Sequence, residues 1–239
     1  MNRITDFHLQ DKHIWAEMFG DSHNPPVIYS LAGDGLLEQL PAIREYMAPA
    51  LKKGQCRPFL LTGYSPVNWN HDYTPWPAPA LSSKSAAFTG GGAMTLDWLR
   101  GAWMPEIERR LSPRAELTER YVLGYSLGGL CALWMAHACD AFAGCASCSG
   151  SLWYDGWTEY TQTHLIQKGG SRVYLSLGLK EEKARNPRMA AVGDATRSLY
   201  AHLQAQATVS ESALEWQEGG HFNDVPKRLA KAILWLMKA

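Results

Sequence analysis

The chain has 239 residues, 46% of them hydrophobic, with 23 Lys and Arg balanced by 23 Asp and Glu, and five cysteines. That length fits a single α/β domain over residues 1–239, and the composition excludes a disordered chain. The cancelled charge removes the field that draws basic proteins to nucleic acid or anionic membranes, and no apolar run reaches bilayer-spanning length.

Residues 1–10 hold no apolar segment ahead of a small-residue cleavage site, so the expected location is the cytoplasm. Residues 5–17 read as one or two antiparallel edge strands. Residues 26–31 form an apolar strand, followed by the turn Ala32-Gly33-Asp34-Gly35 and a helix over 36–53. A strand at 57–62 leads into residues 63–92, rich in Pro, Ser, Trp and Tyr. That stretch is too long for an ordinary connection and reads as a functional loop. Residues 94–111 repeat apolar side chains at helical spacing, so most of their aromatics are expected to face the core. A strand at 120–123, a helix at 127–138 and a strand at 143–147 follow. Then come a strand at 172–177, a helix at 190–206, a strand at 213–217 and a helix at 225–237. Short apolar strands alternating with longer helices predict an α/β fold with a mainly parallel central sheet and helices on both faces.

Gly124-Tyr125-Ser126-Leu127-Gly128-Gly129 carries the chemistry. It joins a strand to a helix, the context that a G-x-S-x-G nucleophile elbow requires. The two flanking glycines remove side chains that would collide with strand and helix. The Leu127 N–H, at the helix start, points where a tetrahedral oxyanion would form. A base must follow. His221 lies in Gly219-Gly-His-Phe222, after the last strand and before the last helix, on a loop able to reach Ser126. An acid should follow a strand between those two. Residues 173–177 lead into Glu181 and Glu182; Glu181 is the first choice, Glu182 the second and Asp194 a distant third. Ser126, acid, His221 is the chain order expected for this architecture. The second oxyanion donor is expected from the backbone N–H of Asp34, with Gly33 or Gly35 the choices one position away.

Cys145-Ala-Ser-Cys148 is formally a C-x-x-C. No second ligand pair stands at a zinc spacing, and the run of small residues around it reads as a buried strand rather than a redox helix start, so no metal is expected.

Taken together, these residues resemble the Putative esterase branch of the α/β hydrolases, which holds enterochelin (trilactone siderophore) esterases, esterase D-type enzymes, feruloyl esterases and mycolyltransferases. The likeness spans nearly the whole chain. It rests on residues 26–33, His71-Asp-Tyr-Thr-Pro75, the Ser126 motif, Gly150-Ser-Leu-Trp153, the 178–187 segment and Gly219-Gly-His221. It implies the α/β-hydrolase fold and hydrolysis of a small-molecule carboxylic ester without metal or organic cofactor. By position it makes Ser126 the nucleophile, His221 the base and Glu181 the orienting acid, with the Leu127 and Asp34 amides as the oxyanion hole. Ala32 stands where the branch commonly has an aspartate, and some siderophore esterases work with a serine–histidine pair alone. Asp72-Tyr-Thr-Pro75 and Ser151-Leu-Trp153 look most like the siderophore-esterase members.

Tyr64, Trp69, Tyr73, Trp76, Trp153, Tyr154 and Trp157 could line a cleft suited to an aryl or catecholate ester, with Tyr73 and Trp153 the foremost choices; the same aromatics could equally pin the loop to the body. Acyl transfer at the same three residues, or a silent relative that only binds a ligand, are the competing readings.

Overall fold

The computed structural model describes residues 4–33, 35–111 and 119–239. The chain opens with an antiparallel hairpin, β1 (Ile4–Leu9) and β2 (Lys12–Phe19). Then come β3 (Val27–Leu31), α1 (Gly35–Lys52) and β4 (Phe59–Tyr64). The expected long loop contains a single turn of helix, α2 (Trp69–Asp72), and a two-stranded ribbon of β5 (Pro77–Ala78) and β6 (Phe88–Thr89). After it run α3 (Gly92–Trp98), α4 (Met104–Leu111), β7 (Arg120–Tyr125), α5 (Leu127–Ala138) and β8 (Gly144–Cys148). The chain closes with α6 (Trp157–Thr163), β9 (Ser171–Gly178), α7 (Pro187–Ala190), α8 (Val192–Ala205), β10 (Val209–Gln217) and α9 (Val225–Leu236).

Eight strands form one sheet in the order β1-β2-β4-β3-β7-β8-β9-β10. The two edge strands at the amino-terminal side pair antiparallel, and β4 to β10 run parallel. Strand periodicity explains the two cores. Val27, Tyr29 and Leu31 join Val122, Val173 and Leu175 on one face, covered by α5 and α8. Ile28, Tyr121, Leu123 and Tyr174 join Leu36, Ile43, Leu229 and Ile233 on the other, where α1 packs beside α9. Helix α5 is buried almost all round, as a helix apolar on every side must be.

The helix expected over 94–111 is continuous in direction but changes pitch. Residues 99–103 form a π turn in which the Met104 N–H reaches back to the carbonyl of Leu99. Pro105 supplies the reason: it has no N–H for the carbonyl four residues back, and its ring would strike that carbonyl. The C-x-x-C pair straddles the sheet, with Cys145 in one core and Cys148 in the other. Burial pushes both thiols up to about 12, so they are inert packing groups.

With β7, β8, β9 and β10 side by side and parallel, the segments that leave their carboxyl ends meet along one edge. That edge holds Ser126, Ser149, Glu181 and His221.

Candidate active site

Ser126 sits between β7 and α5 at φ 58 and ψ −125, a left-handed conformation that a serine adopts only when its surroundings impose it. The imposition is visible in the two glycines. A Cβ on Gly124 would fall on the Gly128 carbonyl, and one on Gly128 would fall on the Leu31 carbonyl. Strand, turn and helix therefore close to a distance only glycine permits, and the Ser126 hydroxyl is left pointing off the sheet edge. The turn is tied to β8 by the Ser126 N–H to the Cys148 carbonyl at 3.1 Å and to the next loop by the Ser151 N–H to the Ser126 carbonyl at 3.0 Å. Leu127 is the first residue of α5, so its N–H has no acceptor within the helix.

His221 lies on the loop between β10 and α9, with Nε2 3.1 Å from Ser126 Oγ and Nδ1 2.7 Å from Glu181 Oε2. Glu181 opens a short 3₁₀ turn just past β9, and its side chain is 6% exposed. Its other oxygen, Oε1, accepts from the Gly178 N–H at 2.8 Å, the Ser149 hydroxyl at 2.8 Å and Arg228 Nη1 at 2.9 Å. Burial works against the Glu181 charge, but the hydrogen bond and charge of His221, with the Gly178 and Ser149 donors, outweigh it and hold the carboxyl below its ordinary value. An ionised Glu181 requires the proton on Nδ1, which leaves Nε2 free to accept from Ser126.

Two residues that sequence reasoning missed hold this row in place. Arg228, on the first turn of α9, is wholly buried. Besides Glu181 it donates to the Ser149 hydroxyl at 2.7 Å and to the carbonyls of Glu218 and Gly220 at 3.0 and 2.8 Å. One guanidinium thus spans the acid and the loop that carries His221, which its planar fork can do and a point charge cannot. Tyr125, the residue before Ser126, donates its hydroxyl to the carbonyl of His221 itself. Burial pushes that phenol up to about 12, so it stays a neutral donor. A signal for Arg228 did exist: it adjoins the apolar stripe of Leu229, Ala232, Ile233 and Leu236 that packs on the sheet.

The second-choice acids lie elsewhere. Glu182 pairs with Arg197 at 2.7 Å, and Asp194, almost fully exposed, pairs with the same arginine at 3.1 Å. Asp34, the expected oxyanion donor, lies outside the described residues. Among the aromatics, Trp153 lines the cleft beside Ser126, as does Trp69. Tyr73 is a correction: it is completely buried, edge-on to Trp69 and Tyr64, and faces the core rather than the cleft. It caps the carboxyl end of α2, whose first residue, Trp69, lines the cleft instead. Most of the other aromatics fasten the long loop. Trp76 donates to the Asp155 carbonyl at 2.8 Å and accepts from the Tyr154 hydroxyl through its own carbonyl at 2.6 Å.

No helix among the described residues is long and apolar enough to cross a membrane. Residues 12–224 match the family model described as "Putative esterase". YbbA of Bacillus subtilis, named as an uncharacterized protein, is 27% identical over 220 residues, covering 90% of this chain and 87% of that one. A siderophore hydrolase from Aspergillus nidulans, EstA, superposes with a TM-score of 0.77 at 16% identity, over 99% of this chain and 94% of its own. An IroE-like serine hydrolase from Shewanella oneidensis gives 0.75 at 18% identity, over 99% of this chain and 80% of its own.

Proposed function

The chain belongs to the Putative esterase family, carboxylic-ester hydrolases of α/β-hydrolase fold, and from that premise we propose that it cleaves its ester through an acyl-enzyme on Ser126. His221 serves as general base and then general acid, and Glu181 orients it. The observation that carries the reading is the unbroken row Glu181–His221–Ser126, at 2.7 and 3.1 Å, ending on a serine in a strained turn.

The chemistry follows from that row. Ser126 Oγ attacks the ester carbonyl carbon as its proton passes to His221 Nε2. The imidazolium so formed is stabilised by the Glu181 carboxylate against Nδ1. Negative charge on the former carbonyl oxygen is met by the Leu127 N–H and by a second backbone N–H from the turn after β3. Collapse expels the alcohol, which takes the proton from Nε2. Water then repeats the sequence on the acyl group and frees Ser126. No step calls for a metal or an organic cofactor. Tyr125 and Arg228 act through His221 and Glu181 and are positioning residues.

The neighbour named as a siderophore hydrolase, EstA, supplies a fold, at 16% identity, and a class of ester to test. Trp69 and Trp153 beside Ser126 equally favour an aryl group in the substrate.

A fluorophosphonate should attach to Ser126 in the folded protein and to nothing in Ser126→Ala. Hydrolysis of p-nitrophenyl butyrate should fall by about 10,000-fold or more in Ser126→Ala and in His221→Ala. Well-folded wild type that hydrolyses the ester but takes no label would remove Ser126 as the nucleophile.

A further inference from the structure

We propose that the esters taken here are uncharged and carry an apolar group on each side of the scissile bond, one group in each of two clefts that meet at Ser126. This deepens the reading above and rests on Ser126 and His221 being the reacting pair.

The first cleft, about 320 Å³, runs between the start of α1 and the start of α9 and is walled by Ala32, Leu36, Val225 and Leu229. The second, about 340 Å³, runs under the long loop and is walled by Leu81, Phe88, Trp153 and Met189. Each is of the size that takes a small organic group. Ser126, His221, Trp69 and Phe222 line both, so the reacting hydroxyl lies on the divide with an apolar opening to either side. A carbonyl carbon seated at Ser126 bears two substituents pointing away from each other, its acyl chain and its alkoxy group. The two openings match that shape.

The divide has an unusual feature. Phe222 is 85% exposed, standing edge-on to the His221 ring at a centroid distance of 4.8 Å. Among the described residues, nothing covers it. A ligand lying across the divide would, and its apolar surface would supply the burial that Phe222 lacks. Trp69 faces it across the same serine and is backed edge-on by Tyr73 at 4.9 Å.

The charge preference comes from the walls. Among the described residues, their polar side chains besides the reacting pair are neutral: Gln39 and Tyr125 in the first cleft, and Asn70, Ser85 and Ser151 in the second. Arg188 stands behind the second cleft, over the Phe88 and Trp153 rings at 5.8 and 5.5 Å. Its charge is met by Asp155 at 2.7 Å, and it donates to the Pro79 carbonyl at 2.7 Å, behind the two rings. Lys180 opens onto a smaller adjoining pocket with Glu181 instead. A carboxylate on either arm would lose its water without gaining a cation.

The test uses the full chain and kcat/KM measured by pH-stat on three sets of esters. One lengthens the acyl chain of methyl esters from acetate to hexanoate. A second lengthens the alcohol of acetate esters from methanol to hexanol. A third compares methyl hexanoate with monomethyl adipate, whose arm ends in a carboxylate. Both length series should climb by about fourfold per methylene, the value of burying that group, and the carboxylate should cost at least tenfold. Ala86→Trp on the second cleft's exposed rim and Val225→Trp in the first should each flatten one series and spare most of the slope of the other. A flat series in wild type, a preference for the carboxylate, or two variants that flatten both series alike would overturn the proposal. If turnover is lost in Ser126→Ala while the series are flat, the reacting pair stands and this proposal falls. Full turnover in Ser126→Ala would remove both.

Discussion

On the sheet side of His221, Glu181 and Arg228 are buried, and the acid's two oxygens together accept four hydrogen bonds, one of them from His221. On the solvent side, Phe222 stands edge-on to the same imidazole and is nearly bare, while Trp69 and Trp153 line the cleft beside the serine. The first region is tied by directional bonds whose loss leaves a buried polar group unpaired. The second is apolar surface that can lose or gain a methylene at small cost. On the proposed mechanism the contrast divides the labour: the buried half sets the reaction, and the open half selects the ester. Changes behind the histidine should therefore lower kcat for every ester. Changes in front should act mainly through KM and only for some.

The largest effect expected behind the histidine is that of Glu181→Gln, which permits the wrong imidazole tautomer and should lower kcat on the order of 1,000-fold. Glu182→Gln, whose parent carboxylate serves Arg197, should stay close to wild type; the reverse pattern would exchange the two glutamates. The same variant has a pH signature. The fold holds the Glu181 carboxyl below its ordinary value, so its charge adds stability wherever the unfolded carboxyl is ionised, above about pH 4.3. That contribution drains away as pH falls through the lower, folded value. The Tm gap between wild type and Glu181→Gln should thus be widest at neutral pH and close in acid. A gap that opens in acid would contradict the assignment.

Next in size is Arg228→Lys, which keeps a buried cation but loses the fork that joins Glu181 to the Glu218 and Gly220 carbonyls. It should lower kcat by roughly tenfold to a hundredfold with KM little moved, the usual cost of a misplaced catalytic group. A proportional loss in KM alone would place Arg228 on the binding side of the divide. In front of the histidine, Phe222→Ala should have the smaller effect. It should raise KM by about tenfold for an ester extended on both sides, as expected for losing one large apolar contact, and change kcat less. An equal loss of kcat for methyl acetate would mean that Phe222 supports His221 rather than the substrate.

The same divide governs what could be read from the amino-acid sequence. The parallel sheet and its covering helices were legible because each strand is a local apolar run and each helix a local period. The hydrogen-bonded row was approachable for a related reason. Ser126 sits in a five-residue motif, and Glu181 and His221 each follow a strand that can be recognised on its own. Arg228 and Tyr125 reach their partners only through the packing of α9 against the sheet; the apolar stripe beside one and the serine motif around the other mark their positions but not their partners. Tyr73 and Trp69 stand at the two ends of α2 and pack against each other, and the sequence does not tell which of the two aromatics is buried and which lines the cleft. The π turn ahead of Pro105 and the ribbon inside the 63–92 loop likewise depend on the chain's three-dimensional course.

The central claim is a covalent acyl group on Ser126, and the most direct measurement is rapid-quench intact mass spectrometry during turnover of p-nitrophenyl butyrate. The account predicts a burst of p-nitrophenol matched by a butyryl adduct on the peptide that carries Ser126, lost in Ser126→Ala. Steady turnover with no acyl adduct under any quench, or an adduct on another residue, would contradict it.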